Sequence, residues 1–154
     1  MDEKSGLNLA NARTPVQIAL MQKIIADGVC PFCAEHFRKY HPKPVLKETE
    51  YWFFTENMSP YVGTKYHFIL VYKPTHITDP KELSAEAWNN LLELIHWAGK
   101  EYQIDGGTFA MRFGTDLKYA NSVMHLHAHL IEPNVDDPQH PGVKFPVSKS
   151  SLPK

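Results

Sequence analysis

The sequence predicts an α+β domain, an antiparallel sheet of about five strands with one long helix and an N-terminal helix. Three observations carry this. β-prone or alternating runs recur at 51–55, 67–72, 108–114 and 122–131; two stretches place apolar residues at helical spacing; and twelve prolines cut the chain into short elements, against an all-helical bundle. At 154 residues the chain is long enough for one domain with its own core.

Residues 1–13 are polar and expected to be a flexible N-terminus, followed by a single domain over 14–140 and a proline-rich tail over 141–154. Thr14-Pro15-Val16-Gln17 has the form of a helix start, with Thr14 as cap and Gln17 closing a capping box. Ile18, Met21, Ile24 and Ile25 follow as an apolar stripe, and Gly28 ends it. The stretch from Arg38 to Lys47 is polar and broken by proline. Tyr51 to Thr55 and His67 to Tyr72 are strands, the second stopped at Pro74. Asp79-Pro80 opens the long helix, with Leu83, Ala87, Leu91, Leu94, Ile95 and Ala98 as its stripe. Ser84 or Asp79 caps it, and Gly99 or the tyrosine beyond ends it. On it, Trp88 and His96 read as packing or surface residues. A third strand spans Thr108 to Gly114, with Thr108, Ala110 and Arg112 on one face. The last strand runs from Ser122 to Ile131.

That last strand carries the chemistry. His125, His127 and His129 alternate with Leu126, Ala128 and Leu130, so the imidazoles share one face and the aliphatics fill the other. Side chains two apart on a strand are roughly 6.5–7 Å apart, close enough to crowd one pocket. The two cysteines, Cys30 and Cys33, are too few for a disulfide framework. A Cys-x-x-Cys pair is half of a tetrahedral zinc site, a redox dithiol, or two ordinary thiols. Zinc is favoured because the thioredoxin-like context is missing. His76, just past a strand end, and His125 complete a Cys2His2 set. His127 and His129 are then free to attack phosphorus and to handle charge or protons. A rival arrangement puts a metal on the three row histidines, but the ends of such a strand lie roughly 13 Å apart. The plainest alternative is three histidines on an exposed sheet face.

His125-Leu126-His127-Ala128-His129-Leu130-Ile131 resembles the signature of the histidine-triad (HIT) family. The resemblance extends to Cys30-Pro31-Phe32-Cys33, to Phe53–Asn57 and to His67–Ile77, covering about residues 28–135. It implies a HIT-like domain acting on a nucleotide as a hydrolase or nucleotidyltransferase. His127 matches the nucleophile, His129 the histidine on the α-phosphate and Ser122 a hydroxyl near the phosphate. His67 falls beside the catalytic row. Cys30, Cys33, His76 and His125 match the structural zinc ligands. Asn57 stands where relatives often place an acidic residue on the ribose, and Phe32 and Phe53 are candidates for the base pocket. Two positions depart from the pattern. Arg112 occupies the place of an asparagine and Asn121 that of a glutamine. An arginine beside the phosphates favours a more anionic substrate such as a dinucleoside polyphosphate, or serves as a structural ion-pair partner.

Phosphate as acceptor would make the chain a phosphorylase or adenylyltransferase, and loss of turnover would leave a non-catalytic nucleotide sensor. The resemblance also implies a homodimer. The 16 Lys+Arg against 17 Asp+Glu, net −1, make no case for nucleic acid. With no apolar run of bilayer length and a polar start, the expectation is a cytoplasmic protein with no membrane partner.

Overall fold

A computed structural model describes residues 5–119 and 121–149; the first four residues and the end of the tail, 150–154, lie outside them. Five strands form one antiparallel sheet: β1 (Val45–Glu48), β2 (Trp52–Glu56), β3 (Thr64–Tyr72), β4 (Thr108–Met111) and β5 (His127–Pro133), in the spatial order β1-β2-β3-β5-β4. This is the expected α+β class. The most apolar strand, β3, lies at the centre, between β2 and β5.

One face of the sheet packs on the long helix, α3 (Ala85–Glu101). Trp52, Phe54, Phe68, Leu70, Leu126, Ala128 and Leu130 meet Ala87, Leu91, Leu94 and Ala98 in the main core. The Trp52 indole N–H also donates to the Ala87 carbonyl at 2.9 Å, so the helix is fixed against sliding. Ser84 caps α3 by accepting from the Ala87 amide at 3.1 Å, and the helix ends at Tyr102, running through Gly99. Asp79 instead caps a separate 3-10 turn, Pro80–Glu82. On the outer face of α3, Trp88 is 42% and Leu92 52% exposed. No helix among the described residues is long and apolar enough to cross a membrane.

The opposite sheet face carries Phe53, Ile69 and Val71, covered by Phe37 of α2 (Ala34–Tyr40). Seven residues carry only Phe37 and Tyr40 as buried contacts, too short a stripe to stand out in a polar stretch. Helix α1 (Pro15–Asp27) has the expected Thr14 cap, and Gly28 closes it at φ +66°, in the left-handed region. Its buried side is Gln17, Met21 and Ile24, whereas Ile18 is exposed.

Three expectations need correction. Residues 5–13 are not frayed. Leu7 and Asn8 are buried, Leu7 bridges Val123, and the Asn8 amide donates to the Ser122 carbonyl at 2.9 Å. The proline-rich tail folds back over the histidine face at 145–149. The histidine strand also starts later than Ser122. Residues 122–124 pair with 6–8, and regular β5 begins at His127, leaving His125 outside the ladder and free to turn. The 108–114 strand likewise stops at Met111, one residue before Arg112.

Candidate active site

His125 turns away from the strand toward the cysteines. Its Nε2 lies 2.6 Å from the Tyr72 carbonyl, to which it donates, so Nδ1 is the bare nitrogen. That Nδ1 lies 3.5 Å from Cys30 Sγ and 3.7 Å from Cys33 Sγ, and His76 Nδ1 lies 3.6 Å from Cys33 Sγ. All four ligand atoms fall within 4.8 Å of one another. A tetrahedral zinc with sulfur at about 2.3 Å and nitrogen at about 2.0–2.1 Å sets its S···N edges at about 3.6 Å. The donor set therefore fits the ion in type, number and spacing. Burial pushes the Cys30 thiol up, and burial with the neighbouring Cys30 sulfur pushes Cys33 up to about 12. A cation replacing both protons relieves that situation. Four protein ligands leave no open position for substrate.

His127 is buried and lines a cavity on the sheet face away from α3. Its Nδ1–H donates to the His125 carbonyl at 2.7 Å, which leaves the Nε2 lone pair unprotonated. Burial holds its pKa down to about 4, with Arg112 adding to that shift, so the ring is neutral at neutral pH. Phe32 packs against it edge-on, ring centroids 5.1 Å apart, and lines the same cavity.

The proton order at His129 follows from the backbone. The Tyr61 amide donates to His67 Nδ1 at 3.1 Å, so neutral His67 carries its proton on Nε2, 3.0 Å from His129 Nδ1. His129 thus accepts at Nδ1 and, when neutral, presents N–H at Nε2. Burial above all lowers both histidines, helped at His67 by Arg13 and Arg112 and at His129 by the neighbouring histidines and then the two arginines; His67 falls to about 3. The Arg112 Nη1 lies 3.2 Å from the same His129 Nε2, and it too can only donate. Two donors converge with no acceptor between them. An oxyanion supplies what both lack.

The remaining predicted residues divide. Ser122 and Asn57 line the cavity. The Asn57 side-chain oxygen accepts from the Ser59 amide at 2.9 Å, which ties the Asn57 amide to the β2–β3 turn. Phe53 does not line the cavity. It is buried beneath it, stacked on Phe37 with centroids 4.7 Å apart. Asn121 is also buried outside the lining, its carbonyl accepting from the Asn11 side chain. Arg112 makes no ion pair among the described residues.

Several cavity residues come from places with no motif. His41, at the end of α2, stacks on Phe37 and sets its Nε2 2.9 Å from Thr55 Oγ1 and 3.1 Å from the Glu56 carbonyl. Arg13 lies over the Tyr61 ring, 4.2 Å from its centroid. From the tail, Phe145 stands edge-on to His129 at 5.3 Å with the Arg112 guanidinium 3.9 Å from its ring centroid. Pro146 accepts from Arg112 Nε at 2.9 Å. Lys149 also lines the cavity and donates from Nζ to the Ala10 carbonyl at 2.9 Å. The lone signals in the sequence were Arg13 just ahead of the helix cap and aromatic Tyr61 after Pro60.

None of the curated protein sequences matches this chain significantly. Among solved structures, a "Hit Like Protein" aligns with TM-score 0.52 and 20% identity, over 65% of this chain and 94% of the other. A zinc-bound histidine triad family protein from Mycobacterium smegmatis aligns with TM-score 0.50 and 19% identity, over 73% and 81%. A hypothetical protein from Leishmania major aligns with TM-score 0.53 and 16% identity, over 79% and 82%. The family pattern described as "Scavenger mRNA decapping enzyme C-term binding" matches residues 30–141, from the first cysteine through the histidine row. On that match, over more than two thirds of the chain, the protein belongs to the scavenger-decapping branch of the histidine-triad family.

Proposed function

We propose that the protein is a nucleotide hydrolase that cleaves a nucleoside 5′-phosphoanhydride or phosphoramidate through a covalent nucleotidyl-His127 intermediate, with a dinucleoside polyphosphate the favoured substrate. The single observation that carries this is the bond from His127 Nδ1–H to the His125 carbonyl, which leaves a neutral Nε2 at the cavity wall beside two converging donors. Nε2 attacks the α-phosphorus, a P–N bond forms, and the bond to the leaving oxygen or nitrogen breaks with its electron pair. His129 Nε2–H and Arg112 stabilise the charge gathering on the phosphoryl oxygens. Water then attacks phosphorus, the P–N bond breaks, and Nε2 recovers its lone pair. His67 positions His129 from behind, Ser122 and Asn57 bound the pocket, and Phe32 flanks the nucleophile.

Cys30, Cys33, His76 and His125 would hold a structural zinc, a reading supported by their spacing and by the zinc-bound mycobacterial protein of like fold. With His125 held there, its carbonyl would be kept in place as the acceptor that sets the tautomer of His127. A homodimer through the exposed Trp88 and Leu92 of α3 and the β4 edge belongs to the same reading.

The test is rapid quench of the protein with a dinucleoside polyphosphate and with adenosine 5′-phosphoramidate, with and without inorganic phosphate, followed by intact mass. A nucleotidyl adduct lost in His127→Ala, with nucleoside monophosphate released, is the expected result. Product in that variant at the wild-type rate would rule out His127, and nucleoside diphosphate formed only with added phosphate would make the protein a phosphorylase.

A further inference from the structure

His41 lines the same cavity as His127 and His129, yet the covalent chemistry makes no use of it. Its neighbours decide which nitrogen carries the proton. Nε2 lies 2.9 Å from Thr55 Oγ1 and 3.1 Å from the Glu56 carbonyl. The Thr55 hydroxyl donates to the Pro44 carbonyl, and a carbonyl can only accept, so the N–H belongs on Nε2. Neutral His41 therefore keeps a lone pair on Nδ1, and that nitrogen has no partner among the described residues. Burial holds the ring neutral, lowering its pKa to about 4. The ring is also fixed in direction, stacked on Phe37 at 4.9 Å with 12° between the planes.

The sheet sets the distance from this acceptor to the histidine row. Thr55 stands opposite Ile69, and Ile69 opposite His129, on three adjacent strands. All three face the cavity side, so two strand spacings, about 10 Å, separate the outer pair. Ile69 lines the cavity between them, with Met21, Ile24 and Phe32. Phe32 bridges the two ends, edge-on to His127 at 5.1 Å and to Phe37 at 5.8 Å. From the nucleophile outward, the cavity thus runs about the length of one nucleoside along apolar walls to one oriented acceptor.

We propose that His41 Nδ1 reads the edge of the nucleobase by accepting from its exocyclic amine, so that a 6-aminopurine nucleotide is taken in preference to a 6-oxopurine one. This rests on the reading of the cavity as a nucleotide site with the α-phosphorus at His127. An amine N–H at that point pairs the lone pair of Nδ1. A ring carbonyl there sets two acceptors against each other, and a bare C–H leaves Nδ1 desolvated and unpaired. Because Nε2–H is committed to Thr55 and Glu56, the ring cannot turn over to present a donor to the carbonyl instead. The discrimination is therefore built into the α2 end and strand β2, away from the reacting phosphorus.

The test is calorimetric binding of AMP, IMP and purine riboside 5′-monophosphate, which differ only in the 6-amino, 6-oxo and unsubstituted edge, to wild type and to His41→Phe. Wild type binds AMP about tenfold more tightly than either of the others. His41→Phe keeps the ring on Phe37 but removes the acceptor, and it brings the three affinities to within about twofold by weakening AMP and leaving IMP unchanged or tighter. Equal binding of AMP and IMP by wild type overturns the proposal, as does a preference that survives in His41→Phe or an equal loss of both ligands there. Circular dichroism melting checks that the variant is folded. Where it is not, the wild-type comparison of AMP with purine riboside 5′-monophosphate decides, since equal affinities overturn the proposal and a tenfold gap sustains it. Failure of all three to bind overturns the nucleotide reading as well, whereas equal binding of all three removes the base reading alone.

Discussion

His41 offers the most closely worked perturbation. Its Nε2–H is shared between Thr55 Oγ1 and the Glu56 carbonyl, and the Thr55 hydroxyl spends its own proton on the Pro44 carbonyl at 2.8 Å. The ring is 9% exposed, and burial lowers its pKa from 6.5 to about 4, the Glu56 carbonyl opposing and Lys43 assisting. A histidine depressed in the folded state stabilises fully above the unfolded value. That stability is lost as pH falls from about 6.5 toward about 4. Between about pH 7 and about pH 5 the loss from this one group is ~2 kcal/mol, with a local slope of ~1.2 kcal/mol per pH unit near pH 5. His41→Gln keeps an N–H donor but does not titrate. Urea unfolding followed by circular dichroism should show the variant losing ~2 kcal/mol less than wild type across that interval. His67 and His127 contribute equally to both proteins and cancel. Identical pH dependence in the two would refute the neutral, buried assignment.

Three further outcomes are expected. The purified chain should carry one zinc per molecule by plasma emission, and Cys30→Ser should lose it together with more than about 3 kcal/mol of unfolding free energy. The rate constant kcat/KM should be level from about pH 8 to about pH 5 and fall toward pH 4, because neutral His127 is the reactive form; a fall centred near pH 6.5 would mean the ring is not buried as described. Gly107→Ala should destabilise the β4–β5 edge by ~2–4 kcal/mol in a thermal or urea melt, because an added Cβ would sit 2.0 Å from the Ile131 carbonyl oxygen.

The fold was legible where the pattern was long. The stripe of α3 and the alternation of Leu126, Ala128 and Leu130 against the histidines predicted the main core. Helix α2 and strand β1 were not, since seven and four residues give too little periodicity to outweigh the prolines around them. The convergence of the four zinc-type ligands was legible because all four come from three local features: a Cys-x-x-Cys turn, a strand end and the first row histidine. Phe53 misled because it lies on the cavity's own sheet face but is covered there by the Phe37 ring of α2, a helix too short to show in the sequence. Its neighbour Thr55 is the residue that holds His41. The cations of the cleft were illegible for another reason. Arg112 was named from the sequence, but Arg13 and Lys149 are held in the cleft by the Ser59 and Ala10 carbonyls, 46 and 139 residues away, which no motif encodes.

The pairing of Phe68 with Leu130, Ile69 with His129 and Val71 with His127 commits every position of β5 to one face or the other. A slip of one residue drives the His127 and His129 imidazoles into the packing under α3 and turns Ala128 and Leu130 toward the cavity. Misassembled chains then lose the histidine face of the cavity as well as their stability. On the proposed His127 mechanism, the burst of nucleotide bound per mole of protein would double as a count of correctly registered molecules, a folding assay that needs no spectroscopic probe.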